Sequence, residues 1–126
     1  MNRILVVDDE ANIRLLYTEE LTDEGYEVVT AGNISEATER LQEGAFDLAV
    51  LDIKLKNESG IELLQQLVKD RHDMPVILCS AFSCYKDDFS AWLADGYVVK
   101  SGDLTELKHE IARVLAKKAQ KATVGL

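Results

Sequence analysis

The sequence predicts an α/β fold in which a doubly wound, five-stranded parallel sheet carries five helices. Two observations predict it. Short, β-branched-rich apolar runs alternate with longer stretches of helical period. The apolar runs are also nearly continuous rather than alternating, as strands buried on both faces are.

Ile4-Leu5-Val6-Val7 is the first such run. A helix over residues 10–23 follows, with Ile13, Leu16, Tyr17 and Leu21 on one face, and Gly25 stops it. The unit then repeats. Residues 26–31 read as a strand, and a helix begins after Asn33, whose spacing to Glu36 suggests a capping box variant. That helix buries Ile34, Ala37 and Leu41 and stops at Gly44; residues 48–51 form the third strand and end on Asp52. Gly60 opens a helix carrying Ile61, Leu64, Leu67 and Val68. Pro75 begins the fourth strand, Val76-Ile77-Leu78-Cys79, which ends at Ser80. A polar helix spans residues 85–94, with Phe89 and Trp92 packing it onto the sheet. Tyr97-Val98-Val99 is the fifth strand and ends at Lys100. Asp103 and Glu106 cap a last helix whose inner face holds Leu107, Ile111, Val114 and Leu115. Right-handed crossovers place helices on both faces of the sheet.

The 126 residues fit one compact domain, read as residues 1–118 with a frayed C-terminal tail over 119–126. With 47% hydrophobic residues, the chain can build a core without disulfides or a structural metal. A formal net charge of -9 argues against nucleic acid as a direct ligand, because phosphate contacts need basic clusters. Cys79 and Cys84 match no zinc spacing and suit a reducing compartment. With neither a signal-like start nor a run of ~20 apolar residues, the expected location is cytoplasmic, with no membrane contact. His72 and His109 stand alone without metal-ligand spacing.

In doubly wound sheets, ligands bind at the C-terminal ends of the strands. There the sequence places Asp8, Asp9 and Glu10 after strand one, Asp52 after strand three, Ser80 and Ala81 after strand four, and Lys100 after strand five. Crowded carboxylates repel unless a cation offsets them. Mg²⁺ suits such a site, since it takes one or two carboxylates together with waters and phosphate oxygens. A carboxylate can also act as a nucleophile toward phosphorus, with Lys100 as a point charge and Ser80 as a hydroxyl donor. The plainer alternative is that Asp8 and Asp9 merely cap the first helix. Lys100 is harder to explain that way, because a half-buried ammonium wants an anionic partner.

Ile4-Leu5-Val6-Val7-Asp8-Asp9-Glu10, Leu48-Ala49-Val50-Leu51-Asp52, Gly60, Ser80-Ala81 and Tyr97-Val98-Val99-Lys100 together resemble a response-regulator receiver domain of the single-domain, CheY-like type. The resemblance runs from Arg3 to about Lys118 and implies a flavodoxin-like strand order of 2-1-3-4-5. It implies that Asp52 accepts a phosphoryl group from a sensor histidine kinase or phosphotransferase. Asp9, Asp52 and the backbone carbonyl of Lys54 then hold Mg²⁺, with Asp8 acting through water. Ser80 meets the phosphoryl group, Ala81 lies beside it, and Tyr97 follows as the switch that presents the fourth helix and fifth strand to a downstream protein target. The domain is then a monomer or a weak, phosphorylation-dependent dimer.

The sequence departs from the family pattern at Lys56 and Ser101, where proline is usual, and its interval from Ser80 to Lys100 is slightly short. Two alternatives compete. An aspartyl-phosphate hydrolase resembling the haloacid-dehalogenase phosphatases needs a second acid two residues after the first, and here that position is Lys54. An interaction module that keeps only the fold has no need of five competent pocket residues.

Overall fold

The computed structural model describes residues 1–70, 73–81, 93–100 and 103–124, with side chains to residue 120. Five strands make a wholly parallel sheet: β1 (Arg3–Val7), β2 (Glu27–Ala31), β3 (Leu48–Asp52), β6 (Val76–Ser80) and β7 (Gly96–Val99). The spatial order β2-β1-β3-β6-β7 is the expected 2-1-3-4-5 order of the main strands. Four helices are described: α1 (Ala11–Asp23), α2 (Ile34–Glu43), α3 (Gly60–Asp70) and α4 (Thr105–Val124). The polar helix expected over residues 85–94, with Phe89 and Trp92, falls almost wholly outside the described residues, as do His72, Cys84 and the bond from Lys100 to Ser101.

Strand residues alternate between two cores, because successive side chains point to opposite faces. Leu5, Val7, Ala49, Leu51, Val76 and Leu78 pack with Ala37 and Leu41 of α2 and with Leu63, Leu64 and Leu67 of α3. Ile4, Val6, Leu48, Val50, Ile77, Cys79 and Val98 pack with Tyr17 and Leu21 of α1 and with Leu107, Ile111 and Val114 of α4. The alternation puts Asp52, the last residue of β3, and Asp8 and Lys100, one step beyond β1 and β7, on the α1 and α4 side.

The expected punctuation holds locally. Gly25 ends α1 in the left-handed region, at φ +93°. Asn33 accepts the amide of Glu36, while the Glu36 carboxylate reaches back to the amide of Gly32, one residue earlier than an ordinary capping box. Asp103 accepts both the amide and the hydroxyl of Thr105 at the start of α4.

Two features differ from expectation. The segment after Asp52 is not a simple loop: β4 (Lys54–Leu55) and β5 (Glu58–Ser59) form an antiparallel hairpin, turned at Asn57 with φ +62°. Strands of two residues carry no readable periodicity, so the pattern could not announce them. The last helix also runs to Val124, through residues expected to fray. Ala116, Lys117, Lys118, Ala119 and Gln120 are all strong helix formers, and Lys118 reaches the backbone carbonyl of Asp47.

Candidate functional site

Asp8, Asp52 and Ser80 are the buried polar side chains among the described residues, and all three stand at the C-terminal rim of the sheet. β1, β3 and β6 are adjacent in the order, so their ends deliver these groups to one place. Lys100 follows β7, and its amide donates to the Ser80 carbonyl, closing the rim on the far side.

Lys100 ties the cluster together. Its ammonium lies 2.7 Å from Asp8 Oδ2 and 3.0 Å from Asp52 Oδ2. The second oxygen of each carboxylate takes a backbone amide: Glu10 N–H donates to Asp8 Oδ1, and Lys54 N–H donates to Asp52 Oδ1. Asp8 thus braces the turn leading into α1 with one oxygen and serves the pocket with the other, and α1 has no side-chain cap. Asp9 is exposed, and ligand oxygens of Asp8, Asp9 and Asp52 all lie within 4.8 Å of one another.

The electrostatics follow from burial and from this bridge. Burial pushes the Asp52 carboxyl above the usual carboxylate range; the hydrogen bond and charge of Lys100 oppose the rise, and the charge of Asp8 adds to it. Burial alone would lower Lys100, but its contacts with Asp8 and Asp52 outweigh that and hold it above an ordinary lysine. The ammonium is therefore charged at neutral pH. Three carboxylates against one ammonium leave an excess of negative charge, and oxygen-only donors suit a hard divalent cation such as Mg²⁺.

Three supporting features were not read from the sequence. Arg14 donates to the carbonyl of Asp8 at 2.7 Å, fixing the turn that carries the acidic pair. Tyr17 Oη lies 3.4 Å from Cys79 Sγ, on the sheet face that carries Asp52. Gly60 packs so tightly that a Cβ there would fall on the carbonyl oxygen of Asp52, while its amide donates to the carbonyl of Ile53. Glycine spacing was the only trace of that last contact. Of the other expected site residues, Ala81 is exposed beside Ser80 and Lys54 is exposed in β4. Tyr97 is half-buried at the start of β7 and packs against the core on the α2 and α3 side. His109 lines a groove of about 370 Å³ with Glu24, Tyr26 and Lys108, apart from the carboxylate rim. Among the described residues, no helix is long and apolar enough to cross a membrane.

A parallel sheet of this order with acids and a lysine at its rim defines a doubly wound domain whose binding site lies at the C-terminal strand ends. The family profile of the response regulator receiver domain matches residues 4–112, and the chain belongs to that family. It is 39% identical to the probable transcriptional regulator ycf27 of Porphyra purpurea over 98% of its own length and 51% of that protein's. It is 31% identical to the response regulator ArlR of Staphylococcus aureus, covering 58% of that protein. The chain thus spans about half the length of these curated relatives. Among solved structures, the response regulator TrrA of Thermotoga maritima in complex with Mg²⁺-BeF is 48% identical, with a TM-score of 0.86. That match covers 90% of this chain and 98% of the other. TrrA in complex with the histidine kinase ThkA matches equally well, with a TM-score of 0.85 over 91% and 99% of the two chains.

Proposed function

We propose that Asp52 is the phosphoacceptor of a two-component signalling domain and takes its phosphoryl group from a sensor histidine kinase or phosphotransferase. The observation that carries this reading is the Lys100 ammonium held between Asp8 and Asp52 beside a three-carboxylate cluster. The likeness to TrrA, solved with Mg²⁺-BeF and with a histidine kinase, supports both the metal and the kind of donor.

Asp8, Asp9, Asp52 and the carbonyl of Lys54 are the groups that would hold Mg²⁺. When bound, the ion neutralises charge on the equatorial oxygens of the transferring phosphoryl group. The protein's own groups do the rest. A carboxylate oxygen of Asp52 forms the new O–P bond as the donor's bond to phosphorus breaks, and the donor leaves with that electron pair. Lys100 can turn from Asp52 to the incoming oxygens while keeping Asp8. Ser80 Oγ offers a donor to the same group, with Ala81 beside it. Tyr97 then repacks against the rim and presents the fifth-strand surface to a downstream protein target, the domain acting as a monomer or a weak phosphorylation-dependent dimer. Slow loss of the phosphoryl group to water within the same pocket resets the domain. The signalling unit lies within residues 1–118, with the last turns of α4 continuing beyond it; it works in the cytoplasm and binds no nucleic acid directly.

The test is uptake of phosphate from acetyl phosphate, read by intact mass. With Mg²⁺ the protein should gain one phosphoryl group and Asp52→Asn should gain none; phosphorylation of Asp52→Asn at the wild-type rate would overturn the assignment.

A further inference from the structure

The hairpin β4–β5 supplies Lys54, yet a two-stranded hairpin is marginally stable on its own. Its turn residues are Lys56 and Asn57, and the chain's one proline is Pro75, so no ring fixes the turn. Glu58 ties the outer strand to α2. Its Oε1 accepts the amide of Ile34, the first residue of α2, at 3.1 Å. Glu58 is also the cross-strand partner of Leu55, directly beside the Lys54–Ser59 pair.

Other anchors act on the inner strand or where β5 runs into α3, where Ser59 Oγ accepts the amide of Ile61. Lys54 N–H donates to Asp52, Leu55 is buried in the core, and Gly60 N–H donates to Ile53. The amide of Ile34 is one of the four at a helix start without a partner inside the helix. The positive end of α2 favours a carboxylate there. Glu58 therefore satisfies an orphan donor and joins the hairpin to α2 with the same bond.

We propose that Glu58 is a positioning residue for the metal site: by clamping β5 to the first turn of α2, it fixes the carbonyl of Lys54 where a divalent ion needs it. Mg²⁺ demands near-ideal octahedral geometry, so a carbonyl on an unclamped hairpin is a poorer ligand. The inference rests on the reading that Lys54 belongs to the Mg²⁺ site.

The test is direct titration of Mg²⁺ by calorimetry, without a phosphoryl donor, with thermal unfolding to confirm the fold. Glu58→Ala should weaken Mg²⁺ roughly 3–10-fold, somewhat below the 10–100-fold typical of groups bonded directly to a metal ligand. Glu58→Gln keeps an acceptor and loses the charge, and should stay within about twofold of wild type. Ile34→Pro removes the donor from the first helical position, where proline is tolerated after the extended Asn33. It should lower affinity alone and add nothing to Glu58→Ala, since the two share one bond. Wild-type affinity in Glu58→Ala, or equal losses in the Gln and Ala variants, would overturn the clamp while leaving the metal reading intact. Failure of the wild-type protein to bind Mg²⁺ would instead sink the metal reading and the clamp together.

Discussion

The Lys100 ammonium sits 3.0 Å from Asp52 Oδ2, a contact made across 48 residues of sequence. The same nitrogen bonds Asp8, so one cation compensates two buried carboxylates. Removing one partner of such a group strands the others, and that costs more than the pair itself contributes. Lys100→Met should destabilise the metal-free protein by about 3 kcal/mol, the low end for breaking a buried charge pair. Saturating Mg²⁺ should recover much of the loss, because it supplies the missing positive charge to the same oxygens. Urea unfolding in chelator and in excess Mg²⁺ measures both; an equal loss in the two buffers would mean that Lys100 acts through packing alone.

Asp52 itself responds to pH in a defined direction. Burial, reinforced by Asp8 and opposed by Lys100, leaves its carboxyl above the ordinary range. In the unfolded chain the group loses its proton near pH 4, whereas the folded protein keeps it to higher pH. Across that window the native state binds more protons, so this group's contribution to stability falls as pH rises. Asp52→Asn cannot ionise. Its stability relative to wild type in metal-free buffer should therefore increase from pH 4 towards neutrality, by on the order of 1 kcal/mol, the common scale of a single substitution. A constant or shrinking difference over that range would contradict the raised carboxyl.

Much of this site was legible because strand ends are marked in the sequence. Asp8, Asp52, Ser80 and Lys100 each follow an unbroken apolar run, and a parallel sheet gathers such ends at one rim. The pairing of Lys100 with a carboxylate followed from the cost of burying an ammonium. What stayed hidden were contacts between elements whose partners carry no local signal. Arg14 reads as an ordinary helix-surface charge until its guanidinium is seen on the Asp8 carbonyl. The β4–β5 hairpin is too short to show a period of two, and Cys79 reads as a small apolar residue until Tyr17 stands over it.

Gly60 is a case where the sequence holds the residue but not its reason. A methyl group there meets the carbonyl oxygen and carbon of Asp52 and the Cα of Ile53, all main-chain atoms. Main chain at the end of a central strand cannot swing aside as a flexible side chain would. Gly60→Ala should cost about 3 kcal/mol, the upper part of the range for overpacking, and should impair phosphoryl uptake because the shift falls on Asp52. Gly25→Ala is the matched control. Its φ of +93° strains any side chain, but nothing lies within 4 Å, so about 1–2 kcal/mol should be lost with phosphoryl uptake unchanged. Thermal unfolding and acetyl phosphate uptake on both variants separate steric from conformational cost.

Burial of the Cys79 thiol beside Tyr17 gives the alkaline limb of stability. Burial is the main cause that raises the Cys79 thiol from its ordinary value to about 11, with the Tyr17 hydrogen bond and Lys100 opposing and the charges of Asp52 and Asp8 adding. Burial likewise holds the Tyr17 phenol above an ordinary tyrosine, with Cys79, Asp8 and Asp52 adding to it. In the unfolded chain the thiol ionises first, so above about pH 9 the unfolded state binds fewer protons and stability falls until the folded thiol also ionises. One pKa unit corresponds to about 1.4 kcal/mol, so the rise of Cys79 implies a fall of roughly 2–3 kcal/mol between about pH 9 and 11. Cys79→Val should start lower at neutral pH by about 1 kcal/mol, because Tyr17 loses its sulfur partner. Its stability should then fall less steeply, with only Tyr17 and Lys100 left to titrate from this cluster. Denaturant unfolding at pH 8 and pH 11, with thiolate absorbance to follow the cysteine, reads both effects. An alkaline slope in Cys79→Val as steep as wild type would assign that limb to groups other than the buried thiol.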